Sequence, residues 1–124
     1  MTHRSELGKF GENLACEYLV KKGYKIIDRN VRKPWGELDI IAKAPDKTLV
    51  FIEVKTMTDS LGLGLTPEDQ LTKAKLKKTQ RAASLYAGHY PELVKDNKGW
   101  RIDLAALVIN EEGYNIRHYE NIQI

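Results

Sequence analysis

Apolar residues recur at steps of three and four through Leu7, Phe10, Leu14, Ala15, Tyr18 and Leu19, the spacing of one helix face over residues 5–22. Gly23 follows as the stop, and Lys21 and Lys22 sit where the helix dipole favours cations. The period then changes. Tyr24, Ile26, Ile27 and Val31 read as a strand that Pro34 ends. The runs 38–42 and 49–54, rich in β-branched and aromatic residues, flank Ala44-Pro45-Asp46-Lys47, a turn composition, and so predict a hairpin. Residues 56–65 carry glycine and small polar residues without a sustained period, which predicts a mobile loop. Thr66-Pro67-Glu68-Asp69 then starts a helix that continues to about Ala87, with Leu71, Ala74, Ala82, Leu85 and Tyr86 on its apolar face. After a loop over 88–99, residues 100–109 form the most apolar strand of the chain, suited to burial on both faces, and 114–119 return along an edge.

Two acids interrupt this pattern. Asp39 and Glu53 lie inside strands that should be apolar. Because side chains alternate faces, Glu37, Asp39 and Ile41 share one face, Phe51, Glu53 and Lys55 share one face, and Leu38, Ile40, Val50, Ile52 and Val54 take the other. Opposed residues of a hairpin project to the same side, so Asp39 meets Glu53 only across a connection of odd length: three residues over 45–47 or five over 44–48. A two-residue turn would place them on opposite faces. The odd register also sets Glu37 opposite Lys55. Two carboxylates so close repel, and burying each unpaired costs on the order of several kcal/mol, so the pair calls for a cation. Oxygen donors with no His or Cys nearby point to Mg²⁺ or Mn²⁺.

The chain of 124 residues fits one domain spanning 1–124 with a core of its own. Cys16 is its only cysteine, which excludes an intramolecular disulfide and suits a reducing cytoplasm. No apolar run approaches the roughly 20 residues of a membrane span, so no membrane partner is expected. His3, His89 and His118 are scattered, without metal-ligand spacing or a nucleophile, which argues against a catalytic triad.

The net charge of +3 is modest, but it is segregated: six basic residues against one acid over 21–33, and five with no acid over 71–81. Such patches attract polyanions, nucleic acid among them. On the second helix Lys73, Lys77 and Arg81 form a column at steps of four. Lys75 and Lys78 instead fall within the apolar sector, where a lysine snorkels to the rim or meets an anion; substrate phosphate or the acidic cluster would serve. Glu12 falls at the margin of the first helix's apolar face and looks toward the sheet at its rim. Asp103 beside Arg101 reads as a structural ion pair.

The order of helix with a rim glutamate, strand, Gly-Glu-x-Asp strand, Glu-x-Lys strand, basic helix and apolar strand resembles the PD-(D/E)XK nuclease superfamily. Within it, the chain is most similar to the YraN-like (UPF0102) family of small bacterial proteins, themselves similar to archaeal Holliday-junction resolvases. The motifs are Gly11-Glu12, Gly23-Tyr24, Arg29-Asn30, Gly36-Glu37-Leu38-Asp39-Ile40-Ile41, Val50-Phe51-Ile52-Glu53-Val54-Lys55, Leu71-Thr72 with Lys75 and Lys78, and Arg101-Ile102-Asp103. Leu38 stands where the superfamily's proline would be. The resemblance implies an α/β, restriction-endonuclease-like αβββαβ core, a mixed central sheet flanked by helices. It implies that Asp39, Glu53 and the backbone carbonyl of Val54 hold the metal, that Lys55 acts beside them, and that Glu12 orients the metal or its waters. Glu37 would support this group or partner Lys55.

The function implied is a metal-dependent endonuclease acting on DNA, including branched or non-duplex forms, with a homodimer as a route to reaching two strands. Two alternatives stay open: a nucleic-acid-binding module of the same fold that does not cleave, and a metal-dependent enzyme on a smaller phosphorylated substrate.

Overall fold

The computed structural model describes residues 5–58 and 64–123. Helix α1 (Glu6–Lys21) begins at Ser5, whose hydroxyl accepts the Gly8 N–H at 2.9 Å and so satisfies one of the orphan donors of the first turn. Three strands follow, β1 (Lys25–Lys33), β2 (Gly36–Lys43) and β3 (Leu49–Thr58), then helix α2 (Lys73–His89) and strands β4 (Trp100–Asn110) and β5 (Gly113–Tyr119). The sheet runs β1-β2-β3-β4-β5 in space, antiparallel except for the β3–β4 pair, which is parallel from Leu49↔Trp100 to Thr58↔Ile109. A parallel neighbour requires a crossover, and α2 supplies it.

The two helices cover opposite faces. On one, Ala15, Cys16 and Leu19 of α1 pack with Ile40, Ala42, Val50, Ile52, Ala105 and Leu107. On the other, Leu76, Ala82, Ala83 and Tyr86 of α2 pack with Ile41, Leu49, Phe51 and Ile102. β4 is buried through its middle and β5 is a largely exposed edge, as their composition predicts. This is the restriction-endonuclease-like α/β arrangement, with the αβββαβ order intact. Among the described residues no helix is long and apolar enough to cross a membrane.

Three expectations change. The helix start at Thr66 is real but short: Thr66 and Asp69 form a capping box on a single 3-10 turn, Pro67–Gln70. The chain then extends through Leu71, and Thr72 caps α2 anew by accepting the Lys75 N–H at 3.2 Å. Tertiary bonds hold the short turn down, since Glu68 is gripped by Arg117 Nη2 at 2.9 Å and by the Tyr119 hydroxyl at 2.5 Å from β5. The restart also rotates the buried face of α2, to Leu76, Thr79, Ala82, Ala83, Tyr86 and Ala87; Ala74 is exposed. Lastly, Thr56, Met57 and Thr58 continue β3 alongside β4 rather than opening a loop; residues 59–63 of the expected loop lie outside the described residues.

Candidate functional site

The β2–β3 hairpin has the odd register. Pairing runs from Lys43↔Leu49 to Ile40↔Ile52 around a five-residue connection, in which the Ala44 N–H donates to the Thr48 carbonyl at 2.9 Å and Lys47 takes a φ of 77°. Asp39 and Glu53 stand one step beyond the last of these pairs, on the α2 side. There the backbone ladder gives way to a side chain, and Asp39 Oδ2 accepts the Val54 N–H at 2.9 Å. From this point β2 follows β1 alone, to a two-residue turn at Pro34 and Trp35. Leu38 accordingly joins Val31 and Ile41 in the α2-side cluster instead of sharing the α1 side with Ile40. Gly36 makes the approach possible: its φ is +153°, and a Cβ there would lie 2.7 Å from that of Ala82 on α2.

Lys55 Nζ sits 3.1 Å from Glu53 Oε1, and both side chains are mostly buried, at 19% and 13% exposed. Burial, and next the charge of Asp39, push the Glu53 carboxyl up from its ordinary 4.5 to about 7, while Lys55 and Lys75 pull the other way. The two acids thus destabilise each other's charge even with a lysine in contact. Among the described residues the metal-binding donors that converge here are hard oxygens, which fits Mg²⁺ or Mn²⁺ better than a soft metal.

These groups line a cleft of roughly 480 Å³. Its second wall is α2, which contributes Lys75, Lys78, Thr79 and Arg81, and its rim is the Pro34–Trp35 turn with Glu37. Lys75 and Lys78 flank the buried Leu76 and Thr79, so the lysines expected in the apolar sector emerge at its edge, facing the acids. Lys75 Nζ is also tied to the Gln70 carbonyl at 3.0 Å.

The column predicted on α2 divides. Arg81 lines the cleft, Lys73 borders a separate depression with Glu68 and Leu104, and Lys77 is solvent-exposed away from both. Glu37 pairs with Arg32 of β1 rather than with Lys55, whose charge is taken up by Glu53.

Glu12 departs most from expectation. It is buried, at 3% exposed, not at a rim, and it does not line the cleft. Arg29 of β1 lies 3.6 Å away and offsets its charge. The reason is Gly11: a Cβ there would collide with the Thr56 hydroxyl, so α1 seats directly on β3 and carries Glu12 down with it. Among the described residues no group of three or more His, Cys, Asp or Glu side chains is placed to hold a metal; Asp39 and Glu53 are the acids that face each other in the cleft, with Glu37 at its rim turned to Arg32.

Trp35 and Thr79, with the turn residues Pro34 and Gly36, are the cleft residues not anticipated. An aromatic residue abutting a basic run and a turn proline was the available signal for Trp35. A second polar cluster was half visible. Asp103, fully buried, accepts from Arg101 Nε at 2.9 Å and from the Asn121 N–H at 2.9 Å, and His118 Nε2 lies 2.8 Å from its other oxygen. Burial works against its charge, but these bonds outweigh it and hold the carboxyl below the usual range. The cluster is the structural ion pair expected from Arg101 and Asp103, enlarged by groups from β5 and beyond.

A mixed sheet with a parallel central pair and helices on both faces defines a restriction-endonuclease-like fold, here with an acid–acid–lysine group at the end of the hairpin. The family model described as Uncharacterised protein family UPF0102 matches residues 11–118, and the chain belongs to that family. A UPF0102 protein of Corynebacterium efficiens is 39% identical, over 98% of this chain and 94% of its own length. One from Thermodesulfovibrio yellowstonii is 43% identical over 95% of this chain and 96% of its own, and one from Bacteroides thetaiotaomicron is 38% identical over 95% and 92%.

Proposed function

We propose that the cleft is the active site of a divalent-metal-dependent endonuclease that hydrolyses DNA phosphodiester bonds, including those of branched or non-duplex DNA. The observation that carries this reading is the opposition of charge across one cleft: Asp39 and Glu53 on the sheet, Lys75, Lys78 and Arg81 on the facing helix. A binder of phosphate has no use for a pair of acids so placed that burial, and next the charge of Asp39, raise Glu53 to about 7; a cation between them offsets both. Asp39, Glu53 and the Val54 carbonyl would hold Mg²⁺ or Mn²⁺, which when bound activates water and polarises the phosphoryl group.

The remaining work falls to this chain's own residues. Lys55, held by Glu53 at 3.1 Å, offsets the negative charge that accumulates on the phosphate during displacement. Lys75, Lys78 and Arg81 draw in the phosphate backbone and fix its path along α2. The Val54 N–H holds the Asp39 carboxylate in place from behind.

The alternative of a non-cleaving DNA-binding module draws its support from Glu12, buried against Arg29 and off the cleft, which leaves two acids rather than three. Incubation of labelled duplex, single-stranded and four-way DNA with Mg²⁺ or Mn²⁺ decides between them. The endonuclease reading expects cleavage by the wild type and at least a 100-fold loss in Asp39→Ala and Lys55→Ala. Binding without cleavage, or equal cleavage by both variants, overturns it.

A further inference from the structure

Trp35 has no part in holding a metal or neutralising phosphate, yet it sits on the rim of the same cleft as the acids and Arg81. It occupies the two-residue turn between Lys33 and Gly36. Pro34 stiffens this turn, and Gly36 seats it against Ala82 of α2. One face of the indole is braced: the His89 ring at the end of α2 stacks on it, centroids 5.8 Å apart and planes within 16°, and the ring packs partly against the α2-side core. Trp35 is therefore a flat apolar surface held in a fixed plane next to three cations. That is the combination by which proteins hold unpaired bases, the backbone tracked by charge and the base face received by an aromatic ring. A cleft of roughly 480 Å³ is of ligand size, enough to receive a single nucleotide.

We propose that Trp35 is a base-stacking subsite that receives an unpaired nucleobase of the DNA strand whose phosphate lies between the acids and Lys78 and Arg81. The subsite rests on the DNA-cleaving reading of the cleft and adds its selectivity: the strand must be splayed or single at the site, because a paired base cannot present its face to the indole. A Trp35 that only capped the core would affect every DNA form alike.

The test uses fluorescein-labelled oligothymidine and a blunt duplex of the same length, with Ca²⁺ in place of Mg²⁺, and anisotropy as the readout. Trp35→Ala is expected to weaken oligothymidine binding roughly 5- to 100-fold and to change duplex binding less than about twofold, with Trp35→Phe retaining most of the affinity. In a Trp100→Phe background, where Trp35 is the sole indole, oligothymidine is expected to quench the emission. This second readout holds even if Trp35→Ala fails to fold. If the wild type binds DNA but Trp35→Ala matches it, or loses both forms equally, or the emission does not change, the stacking subsite is overturned and the metal-dependent reading stands. If the folded wild type binds neither form, both fall together.

Discussion

At the scale of single residues, the cleft is a place where the fold keeps a conflict. Glu53 ionises near 4.5 in an unfolded chain and near 7 in the native one, chiefly because it is buried and next because Asp39 is beside it. Between those values the folded state binds the extra proton, so stability falls as pH rises through the window and stays lower above it. The loss is on the order of 3 kcal/mol at most. Urea unfolding of the metal-free protein at pH 5 and pH 8 should register the decline, and Asp39→Asn, which removes the like charge but not the burial, should reduce it in part and be more stable than the wild type at pH 8. Addition of Mg²⁺ at pH 8 should restore wild-type stability and leave Asp39→Asn unmoved, since a cation that holds the two carboxylates binds the native state alone. These residues were legible in the sequence because acids inside apolar strands violate a strong local rule. Glu12 was not: its place depends on how near α1 comes to β3, and that is set by Gly11 and Thr56, two residues that no periodicity links.

Among the elements, α1 shows how one missing side chain sets a distance. The Thr56 hydroxyl is buried with no hydrogen-bond partner among the described residues, and the open position at Gly11 lies directly over it. Gly11→Ala would improve local helix propensity by up to about 1 kcal/mol, yet the clash forces α1 away from β3. A net loss of about 1–3 kcal/mol in urea unfolding is expected, the range for an overpacked core. Gly8→Ala on the same helix meets only the Ser5 hydroxyl, at 3.3 Å, and serves as the control with little or no loss.

The hairpin and α1 were read from the sequence within a residue or two because their signals are local: a turn composition between two strands, apolar steps of three and four, a glycine stop. The second helix was misread at its start for the opposite reason. Thr66, Pro67 and Asp69 are a sound helix beginning, but Arg117 and Tyr119, about fifty positions away, hold Glu68 in a turn that goes no further. Glu68 is kept down at about 2 by these bonds, Arg117 first.

For the whole molecule, charge is arranged across the sheet rather than summed. The net excess is only +3, but the cations of α2 face the acids of β2 and β3 across one cleft. If this wall carries a DNA strand, each phosphate contact contributes to the salt dependence of binding. Replacing Lys75 and Lys78 together by Ala should weaken binding to oligothymidine and reduce the slope of log K against log salt by about 1.4, at roughly 0.7 per contact on a single strand. Anisotropy titrations over a range of NaCl check this, and Lys77→Ala, exposed away from the cleft, should leave the slope unchanged. The order of strands along the chain was readable from periodicity. The parallel register of β3 on β4 was not, because it joins segments on either side of α2 and no turn fixes it.

The bond from the Val54 amide to Asp39 gives the molecule a built-in spectroscopic reporter. A backbone proton donated to a carboxylate shifts with the charge of that carboxylate, so the ¹H–¹⁵N signal of Val54 should follow the acid pair as pH or Mg²⁺ is varied. Ile52, paired with Ile40 in the ordinary ladder two residues earlier, should stay still. One peak of the spectrum would then record occupancy of the cleft without any substrate being turned over.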